Sequence, residues 1–257
     1  MVDASPDEEF AAFQARIAAD ARVLGAVLSG SQARPGAATR YSDYDVILVA
    51  ADDDVDDLAG EARHDAQLDV SIAPLTKFRT EALPGSGSEW NRYAFVHARV
   101  LKDTDAGLIA ELIDAKTTLT EPEVARSWYD RLGGFLNSAY RALKNERDGN
   151  AISAQLDAAD ALSLYLHYVF VLNGRVKPFN KYLSWELTHY PLPQPELAHD
   201  HLLRLLAEAL SPTPGRALRQ LLTELEPVAR TAGHGMAFDE WDDEIAFLRA
   251  DPHDGRS

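Results

Sequence analysis

The stretch LSGSQARPGAATRYSDYDVILVA, residues 28–50, decides the fold. It leaves one apolar run at Leu28 and enters another at Val46. Between them lies a loop of Gly, Ser, Ala and Pro, which is turn chemistry. The second run opens on Asp43-Tyr44-Asp45. On a strand, residues i and i+2 share a face, so both carboxylates point the same way. Like charges that close repel and perturb each other's ionisation. A divalent cation between them removes the conflict, and hard carboxylate oxygens suit Mg²⁺. In the preceding turn, Gly30 permits close backbone approach to a ligand. Ser31 and the following N–H groups are read as the start of a short helix and an anion site.

Working outward, Ser5-Pro6-Asp7-Glu8 reads as an N-cap with a capping box. A helix is predicted to about Ala21, with Phe10, Phe13, Ile17 and Ala21 on one face. Val23–Leu28 and Asp43–Val49 are predicted strands. The acidic run 51–60 is predicted as a polar, exposed helix, and Gln67–Ala73 as a third strand. In that strand Leu68, Val70 and Ile72 share one face; Asp69 and Ser71 share the other. A Gly/Ser loop at 84–88 precedes a predicted helix at 89–97. A strand at 99–101 and a helix at 106–115 complete the pattern.

This alternation predicts an α/β domain over residues 1–118, a small mixed sheet with flanking helices. From Glu121 the pattern turns to long helices: 122–147 with a Gly133-Gly134 pair, the apolar 151–172, and shorter ones at 182–189, 201–210, 214–229 and 241–248. Residues 119–257 are therefore expected to form an all-α helical bundle. The last seven residues, DPHDGRS, are expected to fray.

Bulk composition narrows the function. Of 257 residues, 46% are hydrophobic and 26% charged, an ordinary globular balance. The chain has no cysteine, so thiolate catalysis, disulfides and Cys-based zinc sites are excluded. No apolar run reaches membrane-spanning length. The acidic start MVDASPDEEF lacks a secretion pattern, so a cytoplasmic location with no membrane partner is expected. The net charge of −16 argues against nucleic acid as a partner. A neutral or cationic small molecule suits that charge better.

Gly30-Ser31, the Gly- and Arg-containing loop, Ser42-Asp43-Tyr44-Asp45 and the later strand residue Asp69 together resemble the nucleotidyltransferase (polymerase β-like) superfamily. A DxD pair alone would be weak, because Asp is common at turns; the full set is specific. An α/β head followed by a helical tail is similar to the small-molecule, antibiotic-modifying branch. The motif likeness covers about residues 22–73. It implies a Mg²⁺-dependent enzyme that moves a nucleoside monophosphate from an NTP, with ATP the expected donor, to an acceptor hydroxyl. Gly30 and Ser31 would hold the phosphates. Asp43 and Asp45 would bind metal, and Asp69 would be a third metal ligand or the general base. Arg34 and Arg40 flank the loop within reach of phosphate or of the Asp cluster, and Arg40 is taken as a nucleotide ligand.

Only six lysines occur, at 77, 102, 116, 144, 177 and 181. Two of them sit in Asn173-Gly-Arg-Val-Lys-Pro-Phe-Asn-Lys181, beside Arg175. Similar enzymes supply basic residues to the triphosphate from the helical part, which makes Lys177 and Lys181 the expected phosphate ligands. Trp90, Arg92 and Tyr93 are read as acceptor-pocket lining or core. The histidines show no metal-ligand spacing. Two other readings stay open at this stage: adenylylation of a protein side chain, and a non-catalytic nucleotide-binding or antitoxin-like interaction protein.

Overall fold

Hydrophobic alternation along residues 23–73, with a later strand at 99–103, builds a five-stranded sheet in a computed structural model that describes residues 5–250. The strands are β1 (Val23–Leu28), β2 (Tyr44–Ala50), β3 (Arg63–His64), β4 (Leu68–Pro74) and β5 (Arg99–Asp103), in the order β3-β4-β2-β1-β5. The sheet is mixed. β2 and β4 run parallel, and the other neighbouring pairs are antiparallel.

Each face of the sheet has its own core. Val46, Leu48 and Ala50 of β2 and Leu68 and Val70 of β4 pack with Phe13 and Ile17 of helix α1 (Pro6–Ala19). Helix α1 starts with the expected capping box, Ser5 and Glu8 bonding each other's backbone N–H. On the opposite face Val27, Val49 and Ala73 pack with Phe78 of α2 (Leu75–Thr80), Phe95, and Ile109 of α3 (Leu108–Thr117). Because side chains alternate, the residues between the first set of apolar positions must face the second side.

Two of the scarce lysines finish helices. Lys102 Nζ donates to the carbonyls of Ile17 (2.9 Å) and Asp20 (2.6 Å) at the end of α1. The fully buried Lys116 Nζ donates to Phe78 O (2.5 Å) and Glu81 O (2.8 Å) at the end of α2. Cations at helix C-termini satisfy orphan carbonyls and oppose the helix dipole. Burial lowers the pKa of Lys116, and the rings of Phe78 and Phe95 lie 4.9 and 5.2 Å away.

Several elements differ from the sequence expectation. Residues 51–60 form short 3-10 turns at Asp52–Asp54 and Asp56–Glu61 rather than an α-helix. Crowded aspartates oppose a continuous helix there. The segment 89–97 is a 3-10 helix over Glu89–Ala94 that ends early, with weak helix formers such as Asn91 and Tyr93 in it. Strand β3 and helix α2 were not foreseen, being two and six residues long. DPHDGRS, expected to fray, lies outside the described residues.

The chain divides into two compact units between Thr118 and Leu119. The second is helical: α4 (Glu121–Arg147), α5 (Ala151–Leu172), α6 (Leu183–His189), α7 (His199–Ala209), α8 (Gly215–Thr231), α9 (Met236–Asp239) and α10 (Glu244–Arg249). Its core joins Leu132, Phe135 and Leu136 of α4 to Leu162 and Tyr165 of α5 and to the leucines of α7 and α8. Gly134 brings α4 close to α5, since a Cβ there would stand 3.1 Å from Leu164.

Candidate functional site

The parallel pairing of β2 and β4 makes Asp45 and Asp69 direct register partners. Both lie opposite the apolar positions that pack on α1, so burying Val46, Leu48, Leu68 and Val70 forces the two carboxylates onto the other face. Asp43 lies one residue before β2 and two before Asp45. The carboxylates of Asp43, Asp45 and Asp69 all offer an oxygen within 4.8 Å of one another, and all three are half-buried. Unit negative charges at that spacing repel by roughly 1–3 kcal/mol per pair, between water-like and protein-surface dielectric constants. Three hard oxygen donors converging in this way fit Mg²⁺ in ligand chemistry and in charge.

Tyr44, between the two aspartates, locks the register. Its ring stacks on Phe10 at 3.9 Å, and its hydroxyl donates to Asp7 Oδ1 at 2.6 Å. Burial first, then the Asp7 contact, pushes the phenol up to about 12.

The Gly30 turn is pressed against the carboxylates. Gly30 has φ +65°, the left-handed region, and a Cβ built there would run into the Asp45 side chain. Ser29 N donates to Asp45 O at 2.8 Å. The helix expected after Ser31 is instead a pair of successive turns, with Arg34 N donating to Ser31 O and Ala37 N to Arg34 O, both at 3.1 Å. Pro35 and Gly36 stop a helix from propagating. Ser31, within the turn, is almost fully buried.

Arg34 is turned away from solvent. It is buried, and its guanidinium donates to the carbonyls of Gly30 (2.6 Å), Val96 (2.7 Å) and Tyr93 (3.2 Å). Its carbon lies 4.9 Å from the Tyr93 ring centre. Arg34 therefore struts the glycine turn against segment 93–96. Arg92 and Tyr93 are buried too, Arg92 donating to the carbonyls of Lys116 and Thr118. Trp90 alone of that trio is exposed.

Arg40 is exposed, 4.5 Å from the ring centre of the exposed Tyr41. The loop beneath it is held by Thr39 N donating to Ser42 Oγ (2.9 Å) and Tyr41 N to Thr39 Oγ1 (3.2 Å). Lys177 and Lys181 belong to the second unit. Lys177 Nζ donates to Asn180 Oδ1 at 3.2 Å and to Pro178 O at 3.3 Å, and burial lowers its pKa. Lys181 is exposed, 5.2 Å from the Tyr182 ring centre. Arg175 is bound by Glu186 and by Tyr190 O at 2.7 Å, so it serves the local fold.

One residue at the carboxylate cluster was missed. His64, on the edge strand β3, meets Asp69 Oδ1 with its Nδ1 at 2.5 Å. The signal available was the short hairpin His64-Asp-Ala-Gln-Leu-Asp69, whose ends face each other across a turn.

No protein family profile matches the chain, and no curated protein matches it. Among solved structures, a nucleotidyltransferase-like protein from Exiguobacterium sibiricum 255-15 is similar over 93% of this chain and 81% of its own, with a TM-score of 0.45 and 12% identity.

Proposed function

We propose that the protein is a Mg²⁺-dependent nucleotidyltransferase that transfers a nucleoside monophosphate, with ATP the expected donor, to the hydroxyl of a small acceptor and releases pyrophosphate. The observation that carries this reading is the convergence of Asp43, Asp45 and Asp69 within 4.8 Å beside the Gly30 turn. The sequence pattern Gly30-Ser31…Asp43-x-Asp45…Asp69 supports it independently, through its likeness to the polymerase β-like superfamily.

The three carboxylates would hold the metal, which supplies charge stabilisation to the transferring phosphoryl group when bound. Gly30 keeps the backbone close to Asp45, where only a residue without Cβ fits. The acceptor oxygen forms a bond to the α-phosphorus as the bond to pyrophosphate breaks. Asp69, with a side chain 44% exposed, is open to an incoming hydroxyl and receives its proton. General-base transfer of this kind needs hydrogen-bond reach. Gly30, Ser31 and Arg40, beside the cluster, are the proposed phosphate ligands. The overall charge of −16 favours a neutral or cationic acceptor.

The test is thermal unfolding with each of the four NTPs, with and without Mg²⁺, on wild type, Asp43→Asn and Asp45→Asn. A ligand at about 100 times its Kd stabilises by about 2.7 kcal/mol. A Mg²⁺-dependent rise with one nucleotide, absent in both variants, supports the reading and names the donor. No rise with any nucleotide removes it. Pyrophosphate release across a panel of hydroxyl acceptors then identifies the class of acceptor.

A further inference from the structure

Three neighbouring strands place three side chains in a row. His64 on β3 is the register partner of Asp69 on β4, and Asp69 is in turn the register partner of Asp45 on β2. Opposed residues of an antiparallel pair project to the same side, so His64 shares the face of the carboxylate cluster. The contact between His64 Nδ1 and Asp69 Oδ1 is 2.5 Å. An ionised carboxylate can only accept, so the imidazole hydrogen sits on Nδ1 and is donated.

The hairpin that delivers His64 is held from both ends. Asp65 Oδ1 accepts from the backbone of Gln67 (2.9 Å) and Leu68 (3.1 Å), and Asp65 N donates to Leu68 O (3.2 Å). Arg63, the other residue of β3, pairs with Glu9 of α1 and with Asp65. A two-residue strand is thus pinned to the sheet, to its own turn and to a helix. Its one side chain toward the cluster is spent on Asp69. The imidazole is otherwise exposed, at 71% of its side-chain surface, so packing does not account for a histidine there.

We infer that His64 is a positioning residue for the carboxylate site: its Nδ1–H holds the Asp69 side chain in place against the repulsion of Asp43 and Asp45, and so preorganises the cluster for a divalent cation. This inference rests on the reading of Asp43, Asp45 and Asp69 as a metal-binding set. The hydrogen bond occupies one lone pair of Oδ1 and leaves the other oxygen and the remaining lone pairs of Asp69 for a cation or a proton. Partners of this kind orient metal-binding side chains, and their loss commonly weakens metal affinity about 10–100-fold.

The experiment uses Mn²⁺ as the probe, titrated into the full chain and followed by electron paramagnetic resonance. The proteins are wild type, His64→Ala, His64→Asn, His64→Phe and Asp45→Asn. The Asn amide can place an N–H where Nδ1 stood; Phe keeps a ring and has no donor. The expected result is Mn²⁺ binding in wild type, its loss in Asp45→Asn, an affinity about 10–100-fold weaker in His64→Ala and His64→Phe, and substantial recovery in His64→Asn. Nucleotide turnover in His64→Ala should then need more Mg²⁺ for half-maximal rate while keeping most of its rate at saturating Mg²⁺. Wild-type affinity in both His64→Ala and His64→Phe, with Asp45→Asn still defective, overturns the role of His64 and leaves the metal site standing. Equal loss in all three His64 variants, accompanied by lowered unfolding midpoints, overturns it in favour of a purely structural strand contact. Absence of Mn²⁺ binding in wild type, with and without ATP, removes the metal site and the His64 inference together.

Discussion

Asp45 and Asp69 face each other as register partners across the parallel β2–β4 pair, with Asp43 two residues upstream completing a cluster within 4.8 Å. The apolar residues on either side of each aspartate fix this relationship, because a one-residue slip of either strand would turn Val46, Leu48, Leu68 and Val70 away from the core they share with α1. The sheet therefore holds three negative charges together by means that have nothing to do with their own attraction. A cation bound to all three relieves their mutual repulsion.

The first consequence is a trade between stability and binding. Asp45→Asn removes one charge from the cluster and keeps the side-chain shape. In metal-free buffer it should raise the unfolding free energy by on the order of 1 kcal/mol, since each close pair repels by roughly that amount or more. With Mg²⁺ and the preferred nucleotide, the ranking should reverse, because only wild type gains from ligand. Paired melting curves in EDTA and in Mg²⁺ with nucleotide check both halves.

Gly30 is a position where a single methyl group has two effects. At φ +65° any residue with a Cβ pays about 1–2 kcal/mol, and here the added carbon would also strike the Asp45 carboxylate. Gly30→Ala should lower stability by at least about 1 kcal/mol and should abolish the Mg²⁺-dependent response to nucleotide. Gly36, also at positive φ but with nothing within 4 Å of a Cβ, is the control. Gly36→Ala should cost conformational strain alone and keep the nucleotide response.

Arg34 offers a test of the strut beneath the turn. Its planar guanidinium reaches three carbonyls, those of Gly30, Tyr93 and Val96. A lysine ammonium cannot reproduce that fork. Arg34→Lys should destabilise the protein by about 2–4 kcal/mol, since each hydrogen bond to a charged group is worth about 1.5–3 kcal/mol and a buried charge keeps only part of its partners. Urea unfolding with an unchanged m-value and a lower midpoint is the expected result.

The sheet and the carboxylates were legible in the sequence because both depend on alternation. Apolar residues at every second position of 44–50 and 68–72 set which way Asp45 and Asp69 point, and no distant partner is needed to read that. The long helices α4 and α5 were legible from their length, and α5 also from its apolar composition. What escaped were features set by tertiary contacts. Arg34 read as within reach of phosphate or of the Asp cluster; its strut to carbonyls about 60 residues away is not readable from its neighbours in sequence. His64 was missed because a two-residue strand carries no periodicity, and the turn chemistry between it and Asp69 is a weak signal without the pairing to β4. Helix α2 is too short to display a stripe, and its end is satisfied by Lys116 from another helix, which no local rule supplies.

His167 of α5 gives the molecule a measurable response to acid. Its Nδ1 lies 3.0 Å from Ser163 O. Burial, with Arg131 and Lys177 adding like charge, pushes its ionisation down to about 4, whereas an unfolded histidine titrates near 6.5. Between those values the unfolded chain binds more protons than the folded one, so stability falls as pH falls. The contribution is whole above about pH 6.5 and is lost by about pH 4. Each pH unit in that window can cost at most about 1.36 kcal/mol, and partial exposure of the ring reduces this through solvent screening. Carboxylate protonation also weakens the fold in acid, so the histidine must be isolated by difference. His167→Gln keeps a polar side chain of similar reach and cannot take up the proton. Unfolding midpoints measured from pH 8 to pH 4.5 should differ between the two proteins by a constant amount above pH 7. Below pH 6.5 wild type should fall more steeply, so that the difference shifts in favour of His167→Gln. Parallel curves over the whole range would assign the acid sensitivity to the carboxylates alone.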